Sequence, residues 1–137
     1  MPFEYFDVEA DVGVHAWAED RAGAFAEAAR GVLALIVDPE SVGDRDRREV
    51  RAQAGSAEAL LVNWVNECLY VHEIEGFAVS DVEVTVCTKV LVHGFLRGEE
   101  FDPDRHRAGT IVKAATFHQV GVTETEGRVD VRLIVDV

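Results

Sequence analysis

The chain alternates between two hydrophobic periods, and the switches mark its elements. Residues 3–7 and 12–17 carry the two-residue alternation of strands, with Val12, Val14 and Ala16 set against Gly13, His15 and Trp17. Residues 21–37 change to helical spacing. Phe25, Ala28, Ala29, Val32, Leu33 and Ile36 make one broad apolar face, with Asp20 as the N-cap and Asp38-Pro39 as the stop. A charged loop over 40–47 leads to a weak strand, 48–54. Gly55 and Ser56 then open a second helix, whose buried face is Leu60, Leu61, Trp64, Cys68 and Val71 and which Gly76 breaks. Val82, Val84 and Val86 return to alternation. Val90 and Val92 begin a strand that Gly94 is expected to interrupt. A long polar connection, LRGEEFDPDRHRAG, precedes two strands, TIVKAATFHQVGV and RVDVRLIVDV, joined by the turn TETEG. In the last strand Val129, Val131, Leu133 and Val135 point inward and Asp130, Arg132, Ile134 and Asp136 outward.

About seven strands and two helices predict an α+β fold in two layers, with both helices packed on a mostly antiparallel or mixed sheet. Alternating strands argue against a doubly wound parallel sheet. The 137 residues, 48% of them hydrophobic, suffice for one domain over 1–137 without a disulfide or metal staple. Cys68 and Cys87 read as free thiols. The N-terminal MPFEYFDVEAD lacks a secretory pattern, and no apolar run approaches a membrane span, so the expected location is the cytoplasm.

Charge narrows the choice of partners. The formal net charge of −13 argues against a membrane and against direct nucleic-acid binding, and for a cation or a protein partner. The arginines of 45–51 and 97–107 are interspersed with acids and read as solvated loops. The phosphate-binding glycine motifs, HExxH, paired CxxC and GxSxG are all missing.

Two acids lie in apolar surroundings: Asp11 in ADVGV, and Asp136 in a valine-rich strand one residue from the end. A buried carboxylate needs a partner. A salt bridge or edge exposure would explain each acid. So would a hard-cation site, in which the terminal carboxylate of Val137 adds oxygen ligands. Lys113, one of two lysines, reads as a surface cation or as a partner for phosphate or carboxylate. His118 falls on the opposite face of an ideal strand from Lys113 unless a bulge intervenes. Asp38 reads as a cap or loop-bonding residue, with metal binding the weaker option.

ADVGV, LALIVDPESV, LLVNWVNECLYVHE, GEEFDPDRHRAGTIVKAATFHQVGV and the terminal LIVDV occur in this order along nearly the whole chain. Together they resemble the archease family. The resemblance implies a small α+β protein that is not itself an enzyme. It implies an activator of an RtcB-type RNA ligase, promoting guanylylation of the ligase and multiple turnover in tRNA splicing or RNA repair. It assigns Asp11, Asp136 and Val137 to a calcium site that magnesium or manganese could also fill. It assigns Lys113, together with Asp11 and Asp136, to activation of the partner, and leaves GTP and a further divalent metal to the ligase. Where relatives read histidine-threonine before the first aspartate segment, this chain has Val8-Glu9, which adds an acid near Asp11. On the residues alone, a metal-dependent hydrolase using Asp11 and Asp136 and a metal-free acidic adaptor stay open.

Overall fold

The computed structural model describes residues 2–137. Strands β1 (Phe3–Val8) and β2 (Asp11–Ala18) form a hairpin and are followed by helix α1 (Arg21–Ile36). After a short 3-10 turn, Pro39–Ser41, come β3 (Asp46–Gln53), α2 (Ala57–Glu75), β4 (Phe77–Cys87), β5 (Leu91–Glu100), β6 (Ala114–Thr125) and β7 (Arg128–Asp136). All pairings are antiparallel, and the strands divide into two sheets, ordered β1-β2-β7-β6 and β3-β5-β4. The fold is α+β, as the alternation predicts. Each helix touches both sheets: α1 packs on β2 and β4, α2 on β6 and β3. That is why α1 is apolar almost all round, with Ala24, Phe25, Ala26, Ala28, Ala29, Val32, Leu33 and Ile36 buried.

Capping residues set the helix ends. The Asp20 carboxylate accepts from Gly23 N–H at 2.7 Å, and Ser56 Oγ accepts from Ala59 N–H at 3.2 Å. Gly76, at φ 64°, closes α2 in the left-handed region. Trp64 is fully buried, and its indole N–H donates to Phe25 O at 3.0 Å, tying the helices together. The inward valines of β7 and Leu133 join Trp64 and Phe25 in one continuous hydrophobic cluster.

Three details depart from the pattern-based reading. Gly94 does not interrupt a strand; β5 runs through both Gly94 and Gly98. A Cβ at Gly94 would strike Glu83 O and come within 3.1 Å of the Trp64 ring, and one at Gly98 would strike Ala78 O. Both glycines therefore mark close approach of a neighbouring backbone. The expected long connection accordingly loses its first residues to β5, and residues 110–113 lie outside β6. Ile134, on the outward face, is 1% exposed, because the Phe6 ring lies across Gly13, its cross-strand neighbour. Among the described residues no helix is long and apolar enough to cross a membrane.

Candidate functional site

The β2–β7 pairing brings together residues from opposite ends of the chain. Asp11, the first residue of β2, lies directly opposite Asp136, the last of β7. Directly opposed residues project to the same face, with Cβ atoms about 5 Å apart. Val12 and Val135 turn to the core, so the two carboxylates occupy the outer face at the sheet's end. Both residues are half-buried. Like charges in this position repel. Among the described residues neither carboxylate has an ion pair or a side-chain hydrogen bond; the ion pairs gather elsewhere, at His15, Glu99 and Asp38. Val137 follows immediately, partly buried and packed against the core.

The other candidates fall at different distances from this pair. Lys113 is exposed and adjoins it through the backbone, its N–H donating to Asp136 O at 2.8 Å. Glu9 is exposed in the two-residue turn between β1 and β2, beside Ala10 at φ 64°. His118 is held only by near neighbours in sequence. It lies in a bulge where residues 117–120 of β6 face a single residue, Leu133, of β7, so strand parity no longer assigns it a face. Asp38 is committed elsewhere. Its carboxylate accepts from Arg107 Nε at 2.8 Å and from Glu40 N–H at 3.0 Å, and Arg107 holds it below the usual carboxylate range. It caps the 3-10 turn and takes no part in the acid pair.

The donor set is oxygen only, the kind that hard cations take. It is also sparse. Among the described residues no three His, Cys, Asp or Glu side chains are grouped so as to hold a metal ion between them. Asp11 and Asp136, with a backbone oxygen of Val137, could hold a calcium-like ion by one side, leaving several of its 6–8 coordination positions to water or to another molecule. The site is an open end of a sheet. A groove of about 750 Å³, lined by Trp17, Asp20, Ala26, Arg30, Val84 and Arg128 among others, does not include it. A smaller groove of about 410 Å³, with Ile36, Leu69, His72, Phe101, Ile111 and Val112, reaches Lys113.

Two further charged centres escaped sequence reasoning. On the outer face, His15 bridges Glu4 at 2.9 Å and Asp130 at 2.8 Å, and Arg128 together with His15 pulls Asp130 down to about 2. At the start of the segment leading to Lys113, Glu99 is 5% exposed. It accepts from Arg105 at 2.6 Å, from His106 Nε2 at 2.9 Å and from Gly43 N–H at 2.7 Å, and Arg105 leads the shift that lowers it to about 2. The partners of Glu99 come from loops far apart in sequence, and no periodicity announces them.

Fold and site define a class: a small α+β protein that presents paired acids at an open sheet end. The Archease protein family (MTH1598/TM1083) matches residues 3–137, and the chain belongs to that family. It is 37% identical to protein archease of Methanopyrus kandleri, over 99% of each chain. It is 31% identical to that of Sulfurisphaera tokodaii, over 98% of each. Among solved structures it resembles protein 1598 of Methanobacterium thermoautotrophicum, with TM-score 0.83, 28% identity and 99% of each chain covered. A Thermotoga maritima archease, described as a possible chaperone, shares the fold with TM-score 0.63 and 17% identity, over 96% of this chain and 94% of its own.

Proposed function

We propose that this chain is a non-catalytic, calcium-binding activator of an RtcB-type RNA ligase, promoting the ligase's guanylylation and multiple turnover in tRNA splicing or RNA repair. The observation that supports it best is the uncompensated, face-to-face pair of Asp11 and Asp136, next to Val137 and the backbone of Lys113. Opposed carboxylates at a sheet end do nothing for the core, and they repel unless a cation lies between them. A calcium ion, or magnesium or manganese in its place, would supply that neutralisation and positions for oxygen ligands from a partner. Asp11 and Asp136 hold the docking geometry, and Lys113 offers an ammonium to a phosphate or carboxylate of the ligase. GTP and the metal of the joining reaction belong to the ligase. The activator reading carries with it a cytoplasmic location. The description of the Thermotoga relative as a possible chaperone fits a protein that works on another protein.

Single-turnover guanylylation of the purified ligase tests this, with wild-type chain, Asp136→Ala, Lys113→Ala and no addition. Acceleration by wild type alone is expected, with no nucleotidyl transfer or RNA joining by the chain on its own. Equal rates in all four reactions would refute the activator role. Activation by wild type that persists in chelator and in Asp136→Ala would leave a metal-free adaptor.

A further inference from the structure

Residues 101–113 have almost no regular structure of their own, yet they are fastened at three places. At the near end Glu99, on β5, gathers Arg105, His106 and Gly43. The His106 ring is fully buried, and its Nδ1 accepts from Asp102 N–H at 2.9 Å. That bond leaves the proton on Nε2, which donates to Glu99, so the ring is read at both nitrogens. Phe101 packs between the rings of His72 and His106. In the middle, the segment caps the C-terminus of α1, where the last turn has no basic residue. Gly109 N–H donates to Ile36 O and Thr110 N–H to Leu35 O, both at 2.7 Å, meeting two carbonyls that the helix cannot satisfy itself. A Cβ at Gly109 would lie 2.5 Å from Leu35 O. Arg107 adds its bond to Asp38, and Val37 pairs with Ala108. At the far end Lys113 N–H meets Asp136 O.

We propose that Glu99 and His106 are positioning residues for Lys113: they anchor a strap that runs over the end of α1 and sets the lysine beside the acid pair. The functional half of this rests on the activator reading; the structural half does not. Glu99 and His106 act through the strap alone, because Asp11 and Asp136 are held by the β2–β7 ladder and Val137 packs against the core. Loosening the anchor moves Lys113 and leaves the carboxylates where they are.

His106→Gln keeps a donor for Glu99 and removes the acceptor for Asp102 N–H, so it slackens the anchor without stripping it. Hydrogen exchange on the full chain should then show the Gly109, Thr110 and Lys113 amides exchanging roughly tenfold faster, while the β2 and β7 amides are unchanged. Calcium titration should give wild-type affinity within about twofold. Stimulation of guanylylation should fall, and adding His106→Gln to Lys113→Ala should cause no further loss, as expected for two residues acting in series. Gly109→Ala lifts the strap from Leu35 O with the Glu99 anchor intact. It should accelerate the same three amides, and it decides the matter if the histidine variant does not fold. Unchanged exchange at those amides in either folded variant overturns the strap. Additive losses in the double variant overturn action through Lys113. If wild-type chain fails to stimulate the ligase, the activator reading falls, and the exchange measurement still decides whether the strap is anchored as described.

Discussion

Glu99 and the Asp11–Asp136 pair are the two acidic centres of this chain that call for an explanation, and they are built in opposite ways. Glu99 is buried and surrounded by donors: two arginines, a histidine and a backbone N–H. Asp11 and Asp136 face each other with no donor to either among the described residues. A carboxylate whose partners are all supplied by the chain is holding the chain together. A carboxylate pair left facing itself is available to something outside. The two centres should therefore respond to substitution with opposite signs, and each contrast below tests that.

The largest effect is expected at the closed centre. His106→Ala removes a buried ring and leaves one Glu99 oxygen with a donor fewer, at a cost of about 2–4 kcal/mol in urea or thermal unfolding. A loss under about 1 kcal/mol would mean that the buried histidine is not holding the loop. Next in size is the cation-linked term at the open centre. With calcium at 100 times its dissociation constant, wild-type chain should gain about 2.7 kcal/mol of stability, and Asp136→Asn should gain nothing. Equal gains in both proteins would move the ion elsewhere.

Acid distinguishes the centres a third way. Glu99 and Asp130 are both lowered to about 2, from ordinary values of 4.5 and 3.8. A depressed acid contributes stability above its unfolded value and loses it as pH falls towards its folded value. Stability should therefore decline from about pH 4.5 towards pH 2, because the unfolded chain takes up protons that the folded chain refuses. Glu99→Gln should flatten this decline by roughly one proton, with Asp130 retaining its share. An unchanged slope would show that Glu99 is not held low. The smallest effect has the opposite sign. In chelator, Asp136→Asn should stabilise the fold by up to about 0.5 kcal/mol, since it relieves cross-strand repulsion. Clear destabilisation would mean that Asp136 has a structural partner after all.

The open centre was legible in the sequence and the closed one was not, for a physical reason. Asp136 keeps to the outward parity of β7 and stands out only as an acid among the valines at the end of that strand. Asp11 stands out in the same way, and the resemblance to the archeases joined the two. Register supplied what neither could: that they oppose each other residue for residue. Glu99 sits in a polar run, GEEFDPDRHR, which reads as solvated. Its burial comes from the strap turning back on it within seven residues and from the loop at Gly43, 56 residues away, folding over it, contacts that no strand or helix period encodes. The proline, the two aspartates and the histidine of 102–106 were the available signal: Asp102 bonds Asp104 N–H, a local turn that commits the loop to a shape. The glycines of β5 misled for a related cause. Gly94 reads as an interruption unless Trp64 is known to lie beneath it. The division into two sheets left one trace, the almost all-round apolarity of α1, which a helix buried on one side only does not need; strand alternation itself says nothing of which sheet a strand joins.

The bulge in β6 bears on crowding among copies of the chain. β6 is an edge strand of 12 residues, long enough to serve as a template for a neighbour's strand. Residues 117–120 interrupt it with Gln119 at φ 54°, a conformation that continues no ladder. A strand arriving from another molecule finds Ala115 already bonded through its N–H and C=O to the Asn66 side chain, and only a short stretch beyond the break. Phe117, 61% exposed, stands at that break. The irregularity that hides the orientation of His118 from strand parity is thus also of the kind that blunts an edge against pairing with another copy.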